Sequence, residues 1–204
     1  MEFITSIAIH SGNSELQDRV KVLSFPHRLV IAIADGAGGI SGGAQAADSF
    51  LRAVQESEGS LSSPEDCASL LVSIDRRLAK LSDCGESTGI VAIVDLKRTF
   101  GASVGDSMAW SFYAGQRIEL TAGQHRKPLL GSDCATAHTF LLNGPGTLVV
   151  GTDGLWKYTS IESIEKQVSG GDAGALANRL CDLVRLRSGA FPDDVAVVTC
   201  QISS

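Results

Sequence analysis

The order of strand-like and helix-like segments restricts the fold of this chain more than any single motif does. Short runs rich in β-branched residues predict three strands, and two amphipathic segments then predict two helices. About six further strands, two helices and one last strand follow. Because strands and helices are grouped rather than alternating, the pattern predicts an α+β fold. We expect a four-layer α-β-β-α sandwich, in which two packed antiparallel sheets are flanked by helix pairs.

The predicted helices have apolar stripes and recognisable start signals. Apolar residues recur at helical spacing in the segments 43–54 and 63–81, and the second segment opens with a serine, a proline and two acidic residues. A capping box of Thr159 and Glu162 predicts the start of a third helix, and the segment 172–189 predicts a fourth. The strand "RLVIAIA" lacks polar alternation, which predicts burial on both of its faces.

Composition limits the classes of function. The 204 residues contain no repeat or Pro-rich linker, so we expect one domain over residues 1–204. A net charge of −6 gives no field that attracts a phosphate backbone, and we expect no nucleic-acid partner. No apolar run approaches the roughly 18 residues of a membrane span, so we expect no membrane partner.

The cysteines and the first residues favour a cytoplasmic location. The five cysteines are odd in number and none are paired in a C-x-x-C spacing, which predicts reduced thiols rather than disulfides or a zinc site. The first residues include an acidic side chain and no basic region, which is not typical of a secretory signal. The four histidines are dispersed, so any metal chemistry should depend on carboxylates.

Acidic residues stand where several predicted apolar strands meet loops. They are Asp18, Asp35, Asp106, Asp153, Asp193 and Asp194. Each one alone is typical of a turn or a cap. Several carboxylates gathered at one end of a sandwich would repel each other unless cations lay between them. Hard divalent cations such as Mg²⁺ and Mn²⁺ take oxygen ligands, and Gly36 would let the backbone after Asp35 approach an ion closely. The set predicts a metal site.

Five motifs in order carry a family resemblance. They are "DGAGG" at 35–39, "STGIVAIV" at 87–94, "VGDSMAW" at 104–110, "LVVGTDGLW" at 148–156 and "DDVAVV" at 193–198. Together they resemble motifs of the metal-dependent protein phosphatases, the type 2C serine/threonine phosphatases, and the chain is most similar to small bacterial members. The resemblance implies a β-sandwich flanked by helix pairs, in agreement with the order of elements.

The resemblance also implies a set of metal ligands and catalytic residues. Asp35 would bridge two core ions, Mn²⁺ or Mg²⁺, with the carbonyl of Gly36 as a further ligand. Asp153 and Asp193 would complete the shell of one ion, and these two residues with Asp35 are the implied catalytic set. Asp106 matches the aspartate of a third, weaker metal site.

Two assignments depend on local register. Asp18, a further metal ligand that the resemblance implies, matches the last residue of the family's N-terminal acidic element, of which only "QD" is present here. Asp194 is the alternative to Asp193, because a double aspartate can be aligned in two ways.

The chain departs from the family pattern at positions that contact phosphate or lie beside the metals. The family's phosphate-binding arginine is Asn13 here, followed by Ser14, and a histidine of some eukaryotic members is Ala37. Arg19 should point to the opposite face of an extended chain, and Arg19 or Arg28 would have to replace the arginine from elsewhere. The family's "DGLWD" is "DGLWK", which places Lys157 after the motif.

The implied function is hydrolysis of phosphoserine or phosphothreonine by a metal-activated bridging water, with no covalent intermediate. The implied partner is a phosphorylated protein or peptide, and we expect a monomer. Two alternatives stay open. One is a degenerate member that binds partners without catalysis, and the other is a phosphatase for small phosphate esters.

Overall fold

The computed structural model describes residues 2–12, 15–37 and 42–203. Ten strands of this part form two five-stranded antiparallel sheets. The first sheet has the spatial order β1 (Glu2–His10), β12 (Val195–Ser203), β11 (Thr147–Gly151), β8 (Met108–Tyr113) and β9 (Gln116–Glu119). The second has the order β10 (His138–Asn143), β7 (Arg98–Val104), β6 (Gly89–Asp95), β3 (Arg28–Ala34) and β2 (Arg19–Phe25). Two short strands, β4 (Gly36–Ala37) and β5 (Glu86–Ser87), pair separately.

Helices cover the outer faces of both sheets. The helices are α1 (Gly43–Ser57), α2 (Pro64–Leu78), α3 (Asp153–Trp156), α4 (Ile161–Val168) and α5 (Leu176–Asp182). The pair α1 and α2 packs on the second sheet, while α4 and α5 close the outer side of the first sheet. This is the predicted α-β-β-α sandwich. None of the helices in the described ranges combines the length and apolar character needed to span a membrane.

Strand β3 shows why the core has several layers. Its side chains alternate between two apolar clusters: Leu29, Ile31 and Ile33 lie between the sheets. Val30, Ala32 and Ala34 instead face α1 and α2. The prediction that this strand is buried on both faces is therefore confirmed. Because β3 is buried along its length, the residue that follows it, Asp35, lies at one end of the sandwich.

Some element boundaries differ from the predictions. Helix α2 begins as predicted, with the hydroxyl of Ser63 accepting a hydrogen bond from the N–H of Asp66 at 3.1 Å. The capping box at Thr159 is wrong by one residue, because Ser160 is the N-cap and accepts from the N–H of Ser163. The elements β4, β5 and α3 were not predicted, since two to four residues are too few for a periodic pattern.

A buried carboxylate on α2 holds part of the long connection between β9 and β10. Asp75 Oδ1 accepts hydrogen bonds from the N–H groups of Gly131 at 2.8 Å and Asp133 at 3.0 Å. Its Oδ2 accepts from the N–H of Ala135 at 3.0 Å. Three backbone donors thus converge on one side chain, which ties residues 131–135 to the helix.

We predict that Asp75→Asn lowers the free energy of unfolding by about 1.5–3 kcal/mol, since hydrogen bonds to charged groups contribute about this much. An amide keeps one oxygen, so its NH₂ group must face at least one of the three backbone donors. Urea unfolding of wild type and variant measures the difference, with the exposed Asp83→Asn as control. Equal midpoints for Asp75→Asn and wild type would show that the carboxylate does not hold this segment.

Candidate metal centre

Three carboxylates meet at one end of the sandwich. Oxygen atoms of Asp35, Asp106 and Asp153 all lie within 4.8 Å of one another, and we call these residues the acid cluster. Asp35 follows β3 and Asp106 follows β7, both in the second sheet, whereas Asp153 follows β11 of the first sheet. The cluster therefore forms only when the two sheets pack face to face.

Hydroxyl groups from two motifs fix the backbone of Asp35. The carbonyl of Asp35 accepts hydrogen bonds from the N–H of Thr88 at 2.9 Å and from the hydroxyl of Ser87 at 3.0 Å. The N–H of Asp35 donates to Thr88 Oγ1 at 2.9 Å, and this oxygen also lies 2.7 Å from the hydroxyl of Ser107. The Ser-Thr motif at 87–88 thus positions Asp35, a role that the sequence resemblance did not assign.

Gly36 lies where no side chain fits. A Cβ atom at this position would stand 2.4 Å from the carbonyl oxygen of Gly43, in the first turn of α1. The motif requires glycine here because the backbone at residue 36 packs directly against the first turn of α1. The last two glycines of the motif, Gly38 and Gly39, lie outside the described residues.

Asp18 is a buried carboxylate that interacts electrostatically with the acid cluster. Its side chain is buried, with the residue 1% exposed, and Oδ2 accepts a hydrogen bond of 2.7 Å from the hydroxyl of Thr152. Burial, with a further contribution from Asp35, raises the pKa of Asp18 to about 9. Burial also raises the pKa of Asp35 to about 7, and repulsion from Asp153 and Asp106 adds to the effect. Both shifts have the same causes, because burial and mutual repulsion disfavour the charged forms of these carboxyl groups.

The two adjacent aspartates before β12 have different surroundings. Asp194 Oδ1 accepts from the N–H of Gly12 at 2.9 Å, and its Oδ2 accepts from the N–H of Gln17 at 2.7 Å. Asp194 thereby ties the segment after β1 to the start of β12. Asp193 instead faces the cluster, with its Oδ2 3.6 Å from the ammonium of Lys157.

Two basic side chains contact the acid cluster, and the sequence did not assign a role to either. Lys157 Nζ lies 2.5 Å from Asp153 Oδ2. Arg126 Nε donates to Asp106 Oδ2 at 2.7 Å, from a side chain that is 72% exposed. Burial raises the pKa of Asp153, whereas the hydrogen bond from Lys157 opposes this shift.

The basic residues considered as substitutes for the missing arginine have other partners. Arg19 pairs with Asp48 on α1 at 2.6 Å, as expected for a side chain on the opposite face. Arg28 pairs with Glu58 at 3.0 Å, and it stands at the start of β3 whereas Asp35 follows the end of that strand. Asn13 and Ser14 lie outside the described residues.

The donor set fits a hard divalent cation. The atoms that converge are carboxylate oxygens, and they repel each other. Mg²⁺ and Mn²⁺ need oxygen ligands of this kind and few protein carboxylates.

Comparison with solved structures relates this fold to bacterial serine/threonine phosphatases. The catalytic domain of the serine/threonine phosphatase PstP, in complex with two manganese ions, superposes with a TM-score of 0.82 at 18% identity over 99% of each chain. Stp1 from Staphylococcus aureus has a TM-score of 0.80 at 15% identity, over 100% of this chain and 96% of Stp1. A bacterial serine phosphatase has a TM-score of 0.81 at 16% identity, over 100% and 99%. This chain has the phosphatase fold that its motifs predict.

The similarity lies in the structure rather than in the overall sequence. No protein-family model matches the chain, and no curated protein matches its sequence at a significant level. The aligned structures extend over almost the whole chain but are only 14–18% identical to it. The pattern of core residues and a few short motifs are therefore sufficient for this fold.

We predict that Asp18→Asn stabilises the metal-free protein, and more so at pH 8 than at pH 5. The pKa of Asp18 rises from 3.8 to about 9 on folding, so the folded state binds its proton more tightly across that range. Stability of the wild type in EDTA should therefore fall as the pH rises from about 4 to about 9. Asparagine carries no charge and keeps an acceptor for Thr152.

Thermal melting in EDTA at both pH values measures this effect, with Glu56→Gln, on the exposed face of α1, as control. A gain for Asp18→Asn that does not increase with pH would contradict the burial of a titrating carboxylate at this position.

Proposed function

We propose that this protein is a metal-dependent phosphatase that hydrolyses phosphoserine or phosphothreonine in proteins. The observation that carries the proposal is the acid cluster, three carboxylates within 4.8 Å of each other, on a fold shared with a manganese-bound serine/threonine phosphatase. Action as a monomer in the cytoplasm belongs to the same proposal.

The proposed metal ligands follow from the family resemblance, and the acid cluster supports three of them. Asp35, with the carbonyl of Gly36, would be shared by two core Mn²⁺ or Mg²⁺ ions, and Asp153 would hold one of them. Asp193 is the better ligand of the adjacent pair, because Asp194 already accepts backbone hydrogen bonds from the N-terminal segment.

The other two acids have distinct proposed roles. Asp106 would serve a third, weaker site. Asp18, buried and bonded to Thr152, would be a further metal ligand from the N-terminal segment.

The proposed chemistry needs no covalent intermediate. Divalent ions at such a site lower the pKa of water and neutralise charge on phosphoryl oxygens. The chain itself positions two of these residues: Thr88 Oγ1 accepts from the backbone N–H of Asp35, and the hydroxyl of Thr152 donates to the carboxylate of Asp18. Burial raises the pKa of the thiols of Cys67, Cys181 and Cys200 to about 12, so these cysteines are protonated at neutral pH and are poor nucleophiles.

One observation favours a second candidate, a binding protein without catalysis. Asp153 and Asp106 are each paired with a basic side chain, Lys157 and Arg126, which partly neutralise the charge that would attract metal ions. A protein of this kind would bind phosphorylated partners and release no phosphate.

We predict that the purified chain releases phosphate from a phosphoserine or phosphothreonine peptide with Mn²⁺ or Mg²⁺, and releases none in excess EDTA. Asp35→Asn should lower kcat by at least about 100-fold, because loss of even an outer partner of a metal site costs about 10–100-fold. Asp48→Asn, exposed on α1, is the matched control and should retain wild-type kcat. Phosphate release at fixed peptide and metal concentrations measures all three proteins.

Full turnover in EDTA after dialysis, or wild-type kcat in Asp35→Asn, would contradict the metal mechanism. Binding of Mn²⁺ without any phosphate release would support the binding protein instead. Faster turnover of p-nitrophenyl phosphate than of any phosphopeptide would identify small phosphate esters as the substrates.

A further inference from the structure

Lys157 places a positive charge between two carboxylates of the candidate metal centre. Its ammonium lies 2.5 Å from Asp153 Oδ2 and 3.6 Å from Asp193 Oδ2. These are the two side chains proposed to complete the shell of one ion. The ammonium thus satisfies carboxylate oxygens that the ion would need.

The short helix α3 determines this placement. Asp153 is its first residue, and Lys157 follows four positions later, where its N–H donates to the carbonyl of Asp153 at 2.9 Å. Residues four apart on a helix lie on the same face, so the side chain of Lys157 lies next to the carboxylate of Asp153. The contact is therefore built into the local fold.

The side chain of Lys157 is also able to leave. It is 42% exposed, and four methylene groups separate the ammonium from the backbone. Movement of the ammonium into solvent would break the contacts with Asp153 and Asp193 without changing α3. Leu155 is buried in the apolar core and Trp156 packs against it, and these contacts would keep the helix in place.

We propose that Lys157 is a built-in competitor for the metal ion: its ammonium holds Asp153 and Asp193 together in the metal-free protein, and one ion must displace it to bind. This inference rests on the metal binding in the proposed function and not on hydrolysis. It makes Lys157 a determinant of metal affinity. One of the two core ions binds more weakly than the carboxylates alone would allow.

The first test is calorimetric titration of Mn²⁺ into metal-free protein, comparing wild type with Lys157→Met. Methionine keeps much of the stem and removes the charge. We expect the weaker core ion to bind at least about tenfold more tightly in the variant, which corresponds to about 1.4 kcal/mol. Lys166→Met, exposed on α4, removes the same charge elsewhere and should change affinity less than twofold.

The salt dependence of Mn²⁺ binding distinguishes a direct contact of Lys157 with the carboxylates from a long-range effect of its charge. Raising NaCl from about 0.15 M to about 1 M shortens the Debye length from about 8 Å to about 3 Å. The difference between wild type and Lys157→Met should persist, because the ammonium touches its partner. Equal affinities in the two proteins, or a gain that disappears in high salt, would overturn the proposal.

Thermal melting provides a second measurement of the same effect, and it does not require the two binding steps to be separated in the calorimetric titration. In EDTA, Lys157→Met should melt below wild type, since Asp153 and Asp193 lose their shared cation. Saturating Mn²⁺ should raise the Tm of the variant by more than that of wild type. Lys157→Arg, which keeps a cation, should resemble wild type. Equal Mn²⁺-induced shifts in wild type and Lys157→Met would count against the proposal.

Failure of the proposal is distinguishable from failure of the proposed function. Tight Mn²⁺ binding with the predicted effect of Lys157→Met, but no phosphate release from phosphopeptides, overturns the catalytic function alone. Phosphate release with no effect of Lys157→Met on Mn²⁺ binding overturns only the role of Lys157. Absence of Mn²⁺ binding in both proteins overturns both.

Discussion

Negative charge gathered at one end of the sandwich is the constraint on which the site depends. Asp35, Asp106 and Asp153 come from different strands and both sheets, so their closeness is a product of sheet packing. Their repulsion opposes that packing, and the apolar layer between the sheets must outweigh it. A divalent cation bound among these carboxylates would neutralise their charge and remove the repulsion.

Neutral hydroxyls and basic side chains support the acidic residues of the site in different ways. The hydroxyl of Thr152 donates to the carboxylate of Asp18, whereas Thr88 Oγ1, in contact with the hydroxyl of Ser107, accepts from the backbone N–H of Asp35. Hydroxyl groups of this kind position an acidic residue without adding a positive charge beside it. Positive side chains act differently, because Lys157 and Arg126 pair directly with cluster oxygens.

The sequence predicted the layers and the acids, because periodicity and strand-end aspartates are local signals. It preferred Asp193 to Asp194 only by motif alignment, and only the folded chain shows that Asp194 accepts N–H groups from a segment about 180 positions away. Lys157 was visible as a departure from a motif, but its contact depends on α3, which is too short to show a pattern. Arg126 reaches Asp106 from a long connection whose path no local rule predicts.

The pairing of the first and last strands has a consequence for the order of folding. Strand β12 lies inside the first sheet, between β1 and β11, and it pairs with β1 from Glu2 opposite Ser203 to His10 opposite Val195. During synthesis, β1 would wait without its neighbour until residues 195–203 emerged from the ribosome. The second sheet, built from residues 19–143, could form earlier. Asp193 would then join the other acids only in the closing step, so the chain would carry no complete charge centre while it was still being made.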